Sequence, residues 1–168
     1  MLAGRQAVLL RKGGILEANN EFELEHRRFL FYPTFVHQDP RMVKEGKREE
    51  IRGAAREPEV LEIRGYGEVV GIFAVPGRKE MDGLRDLHVW DEPLIDMRFG
   101  YRPEKPLYVV VVRAFVLGEA VVMENSLGYA GCKSWVSLER EVDVSGGRQV
   151  MEECKLQEVM ERIRRAFA

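Results

Sequence analysis

The chain has 168 residues, 45% hydrophobic and 32% charged, which gives one ordinary domain over 1–168 with apolar material for a sizeable core and no excess that would mark disorder. No apolar run approaches the roughly 20 residues of a membrane span, so no membrane partner is expected. A formal net charge of -2 excludes steering of the whole molecule toward nucleic acid and leaves polyanion binding to local cation clusters.

Gln6 to Arg11 predicts a strand apolar on both faces through Ala7, Val8, Leu9 and Leu10, stopped by Gly13-Gly14, where positive φ costs little. Phe22 and Leu24 alternate with Glu23 and Glu25, but after His26-Arg27-Arg28 the apolar phase moves to Phe29 and Phe31. A bulge or turn at Glu25 to Arg28 accounts for that shift. Beyond it, strand alternation puts Phe29 and Phe31 on one face and Arg28, Leu30 and Tyr32 on the other. Asp39-Pro40 supplies an N-cap followed by proline at the first helical position. The polar segment from there to Arg56 has only Met42, Val43, Ile51 and a few alanines to bury, and predicts a surface helix or a partly mobile excursion.

Val60 to Ile63 and Gly67 to Val75 predict two strands around a Gly65-Tyr66-Gly67 turn, the second ended by Pro76-Gly77. Met81, Leu84 and His88 fit a short amphipathic helix, and Asp91-Glu92-Pro93 opens another that ends at Gly100. Leu107 to Leu117 predicts the strongest strand, interrupted only by Arg113, with further strands near Ala120 to Met123 and Ser134 to Leu138. Leu156, Val159, Met160, Ile163 and Phe167 form the apolar stripe of a C-terminal helix. Arg162, Arg164 and Arg165 stand in its last turn, where the macrodipole favours cations. This order is not the strict alternation of a parallel doubly wound sheet. It predicts an α+β fold, a mixed and mostly antiparallel curled sheet or small β-barrel with surface helices and a C-terminal helix.

Three segments carry more chemistry than their local structure requires. Arg11-Lys12 before Gly13-Gly14 sets two cations beside exposed backbone N–H groups, either an anion cradle or a charged edge before a hairpin turn. The spacing matches neither a Walker loop nor a dinucleotide fingerprint. His26 to Gln38 packs two of the 3 histidines among arginines and aromatics. Within it His37, with Gln38 beside it, is the candidate general acid or base, against a structural role as a cap or a buried carbonyl's partner. The third segment is Gly128 to Val136. Its Cys132 gains thiolate character from Lys133 and would need His26, His37 or His88 as base, against a buried strand cysteine. Trp135 and Tyr129 could stack on a nucleobase or fill the core. Arg113, inside an apolar strand, must find a carboxylate or carbonyls.

No Cys or His stands at zinc-type spacing, so no metal and no other cofactor is expected. Cys132 and Cys154 lack the pattern of a disulfide scaffold, and the start, Met1 to Gln6, lacks a signal-peptide core. A cytoplasmic location with both thiols reduced is therefore expected.

Leu9-Leu10-Arg11-Lys12-Gly13-Gly14-Ile15, Phe31-Tyr32-Pro33-Thr34 with His37-Gln38, Lys105-Pro106-Leu107-Tyr108-Val109 with Arg113, and Gly131-Cys132-Lys133-Ser134-Trp135-Val136 occur in this order over nearly the whole chain. Together they resemble a bacterial family catalogued as domain of unknown function 1802. The resemblance implies no established activity, but occurrence beside restriction-endonuclease-like domains implies a place in a restriction or defence system, with a nuclease as partner. The family is expected to begin further upstream, so a segment ahead of Gly4 is expected to be missing or untranslated. In the first half, Gly4 to Arg11, Arg28 to Tyr32 and Gly67 to Val75 are similar in order to the ASCH and EVE branches of PUA-like barrels, which bind RNA or modified DNA bases. His26-Arg27 stands where that pattern has Gly-Asp.

These observations yield three functional expectations. The first is binding of RNA, single-stranded DNA or modified DNA, with Arg11, Lys12, Arg27, Arg28 and Lys133 meeting phosphates and Tyr32 and Trp135 forming a base platform. Gly13, Gly14, His26, Thr34, Gln38 and Ser134 complete the candidate set. The second is an enzyme acting on a nucleotide or other phosphate-containing substrate, with His37 as acid or base and Lys12 as electrostatic stabiliser. The third is a partner-binding module without catalysis. The first two require the three segments to meet in space.

Overall fold

The computed structural model describes residues 1–12, 17–18, 21–22, 26–33, 39–51, 58–125, 135–138 and 140–168. Its centre is one long antiparallel ladder between β5 (Val60–Ala74) and β6 (Tyr108–Glu124). One edge of β6 carries β5, and the other is shared along its length by β1 (Val8–Arg11) and β7 (Arg148–Gln149). Beyond β5 lies β4 (Arg28–Leu30), giving the order β1-β6-β5-β4. The short strands β2 (Glu17–Ala18) and β3 (Glu21–Phe22) pair separately.

The expected turn at Gly65-Tyr66-Gly67 and the expected interruption before Ala120 are both absent: each pair of predicted strands is a single strand. The glycines serve close approach instead. A Cβ on Gly65 would lie 2.3 Å from the Phe115 carbonyl oxygen, and one on Gly67 would lie 2.4 Å from Val112 and against the Phe29 and Phe31 rings. Register shifts at Ile63/Gly65 and Val69/Gly71 bend the ladder where bulges do. The sheet nevertheless does not close into a barrel. Its outer strands, β1 and β4, are only 4 and 3 residues long, and no pairing joins them among the described residues.

Alternation gives this sheet two apolar faces. On one, Val8, Leu10, Val109 and Val111 meet three helices: α1 (Arg78–Asp82), α2 (Glu92–Gly100) and α3 (Glu153–Ala166). Met81, Leu84, Ile95, Leu156, Met160 and Ile163 fill the layer, each aliphatic contributing about 1.5–3 kcal/mol on burial. The helix ends follow local rules. Asp91 accepts from the Glu92 N–H ahead of Pro93, α2 stops at Gly100, and Leu156, Met160 and Ile163 are the buried stripe of α3. Asp39 likewise accepts from the Arg41 N–H, but the segment it opens is a pair of 3-10 turns, Pro40–Met42 and Glu45–Glu50, tied down by buried Val43 bridging to Trp90.

The opposite face gathers Val69, Val110 and Val112 with Leu9, Phe29, Phe31, Ile72 and Tyr108. A third cluster, Leu61, Ile63 and Met123 with Leu30, Tyr32, Val136 and Leu138, occupies the far end of the ladder. The expected strand at Ser134 to Leu138 is not formed over Trp135 to Leu138: Val136 and Leu138 dock through side-chain burial, without a ladder of their own.

Candidate functional site

Strand alternation sends Arg11, like Leu9, to the face opposite the three helices, across from Tyr108. There the Arg11 guanidinium lies 5.3 Å from the centre of the Trp135 ring, within cation–π distance. The indole packs edge-on against Phe29 at 5.0 Å, and Phe29 in turn against Phe31 at 5.6 Å. One residue from the first segment, two from the second and one from the third therefore form a continuous contact chain.

Lys12, one residue on, takes a different course. Its ammonium donates to the carbonyls of Arg98 and Phe99 at 3.0 and 2.8 Å. These belong to the last turn of α2, where free carbonyls and the macrodipole favour a cation. Lys12 thus clamps the end of β1 to the end of α2. Burial first, and the neighbouring Arg98 charge second, hold the Arg11 guanidinium below its ordinary pKa. The Arg98 Nε is itself buried without a hydrogen-bond partner among the described residues.

The other candidates fall elsewhere. Arg28 points to the helical face, donates to the Glu68 carboxylate at 2.9 Å through Nε, and lies over the Tyr66 ring. Glu68 sits opposite Arg113, whose guanidinium makes bidentate bonds of 2.8 and 2.9 Å to Glu153 of α3, so Arg113 finds the carboxylate its strand position demands. Glu153 is correspondingly held below the usual carboxylate range, chiefly by its bonds to Arg113. His26 and Arg27 are exposed, and the Arg27 carbonyl accepts from the Val69 N–H. Tyr32 does not share a platform with Trp135. It belongs to the far cluster, where its hydroxyl donates to Asn125 Oδ1 at 2.8 Å and Asn125 Nδ2 donates to the Pro58 carbonyl. Gly13, Gly14, Thr34, His37, Gln38, Cys132, Lys133 and Ser134 lie outside the described residues.

Sequence reasoning missed Arg98. As a cation in the last turn of a helix it looks like an ordinary macrodipole partner, and no local signal connects it to Arg11. His88, weighed as a base for Cys132, is 6% exposed, and burial, with the Lys44 charge adding, pushes its pKa down to about 4. It stays neutral at physiological pH, packed beside Trp90 with neither ring nitrogen hydrogen-bonded among the described residues. Cys154 is an exposed free thiol. Among the described residues no helix is long and apolar enough to cross a membrane.

Chemically, the half-buried Arg11 guanidinium beside an indole and two phenyl rings puts a cation and aromatic surface in one place. A family model described as "Domain of unknown function (DUF1802)" matches residues 1–162. No curated protein and no solved structure matches the chain.

Proposed function

Because this chain belongs to the DUF1802 family, whose description names no activity, we propose its function from the site itself: it binds nucleic acid whose bases are accessible, as in RNA, single-stranded DNA or a duplex with a modified base turned outward. The observation that supports this reading is the Arg11–Trp135–Phe29 contact chain, where no described carboxylate neutralises Arg11. Guanidiniums meet phosphate, and an indole offers a stacking surface worth about 1–3 kcal/mol per base. With a net charge of -2, affinity for bulk duplex is low and binding depends on this local cluster. In the restriction or defence setting implied by the resemblance, such a module recognises the nucleic acid on which a nuclease partner acts.

The test is fluorescence anisotropy with labelled RNA, single-stranded DNA, and methylated and unmethylated duplex at several salt concentrations. Binding of the first two, with log affinity falling linearly in log salt by about one unit per phosphate contact, is the expected result. Absence of binding to every probe at low salt removes the proposal.

A further inference from the structure

Helix α2 ends on Gly100, yet the left-handed residue that follows it is Arg102, with φ of 47°. Tyr101 is the C-cap, its N–H donating to the Met97 carbonyl at 3.0 Å. The position after a C-cap in this conformation ordinarily takes glycine, because a Cβ is crowded there. Arg102 also precedes Pro103, which narrows its backbone freedom further. Among the described residues no other residue with a side chain has positive φ. With the backbone so held, the Arg102 guanidinium lies over the Tyr101 ring, 5.3 Å from its centre.

The same corner leaves apolar surface open. Tyr101 is 52% exposed and Met97 47%, so a ring and a thioether face solvent beside that cation. Arg102 makes no ion pair with any described residue. The corner is fixed in place, since the Lys105 N–H donates to the Arg102 carbonyl at 2.9 Å and Lys12 ties the end of α2 to β1. From Arg102 the chain runs to Tyr108, the ladder partner of Arg11, and at roughly 3.3–3.6 Å per residue it spans at most about 22 Å.

Resting on the nucleic-acid reading above, we infer that Tyr101 and Arg102 are a second contact for the same strand, the ring stacking on a base and the guanidinium meeting a phosphate. A position that glycine would fill at lower cost is held by a side chain that presents a cation on an exposed ring. That pair matches a base and its phosphate. An acidic peptide would satisfy the cation and leave the ring without a planar partner. The spacing suits a strand of a few nucleotides passing around the end of the sheet, where α2 hands the chain to β6.

The experiment is anisotropy titration of the full chain with a labelled single strand of about 12 nucleotides at several salt concentrations, paired with thermal unfolding of each variant. Arg102→Gly should weaken binding about 3- to 10-fold and lower the salt slope by about one, while raising the unfolding temperature by about 2–4 °C as the backbone relaxes. Loss of affinity together with gain of stability is a result that damage to the fold does not produce. Tyr101→Ala should weaken binding about tenfold with the slope preserved, Tyr101→Phe should restore it, and Arg165→Gln, at an exposed position of α3, should change neither quantity. Arg102→Asn, which tolerates the same φ, carries the test if the glycine variant does not fold.

Unchanged affinity and slope in Arg102→Gly overturn the inference while nucleic-acid binding stands. A loss in Arg102→Gly, in a chain whose binding Trp135→Ala leaves unchanged, supports this corner and removes the Arg11–Trp135 site. If the strand does not bind at low salt, both are overturned.

Discussion

The two faces of the sheet treat arginine in opposite ways. On the helical face, Arg113 and Arg28 converge on Glu68, and Glu153 of α3 closes the network. On the other face, Arg11 has an indole for its neighbour, and no carboxylate among the described residues. A half-buried guanidinium needs compensation, and only the first arrangement supplies it with carboxylates of the described residues. An internally paired arginine joins a helix to a sheet. Under the proposed function, the one left with an aromatic neighbour receives a phosphate from outside. The comparison also separates stability from binding, and each can be perturbed alone.

The largest effect belongs to the helical side and is read in pH. His88 titrates near 4 in the fold against an ordinary 6.5, so below pH 6.5 the unfolded chain takes up a proton that the folded chain refuses. Stability from this group is complete above pH 6.5 and declines as pH falls toward 4, by on the order of 3 kcal/mol. Urea unfolding between pH 7.5 and 5, above the carboxylate range, should show the slope, and His88→Phe should remove it. A flat wild-type profile there means that the imidazole is not held neutral by burial.

Next in size, Arg113→Met should cost about 1–2 kcal/mol in urea unfolding, because Glu68, with a side chain 24% exposed, loses a counter-charge and α3 loses its tie to β6. Nucleic-acid affinity should be unchanged. A parallel loss of affinity would blur the division between the faces. On the opposite face, Trp135→Ala should lower affinity for single strands by roughly tenfold, with the salt dependence preserved, since stacking releases no counterions. Anisotropy titrations at three salt concentrations measure both quantities, and a changed slope would mean that the ring acts by placing Arg11.

The smallest expected effects form a matched pair. Arg11→Gln should reduce the salt slope by about one and leave stability nearly untouched. Arg28→Gln, losing an exposed ion pair, should cost under about 1 kcal/mol of stability and leave the slope alone. If the two variants exchange phenotypes, the assignment of faces is reversed.

What was legible in the sequence was whatever is set within a turn or two of chain. Asp91-Glu92-Pro93 and Gly100 bracket α2 because capping groups and proline act on adjacent N–H groups. Leu156, Met160 and Ile163 mark α3 because helical period decides which side chains reach a core. The face split of Phe29 and Phe31 from Arg28 follows from the pleat alone, and a guanidinium in the apolar β6 run announced the need for a carboxylate. Only the tertiary structure decided the rest. Whether Gly65 and Gly67 turn the chain or admit a neighbour depends on the Phe115 carbonyl and the Val112 side chain across the ladder, which no local pattern encodes. The tie from Lys12 to the Arg98 carbonyl joins residues 86 positions apart and exists only once β1 and α2 are docked. Tyr32 parted from Trp135 for the same reason: its position just beyond β4, relative to Asn125, follows from the β4–β5–β6 register, so the sequence named the aromatic side chains but the sheet chose which of them meet.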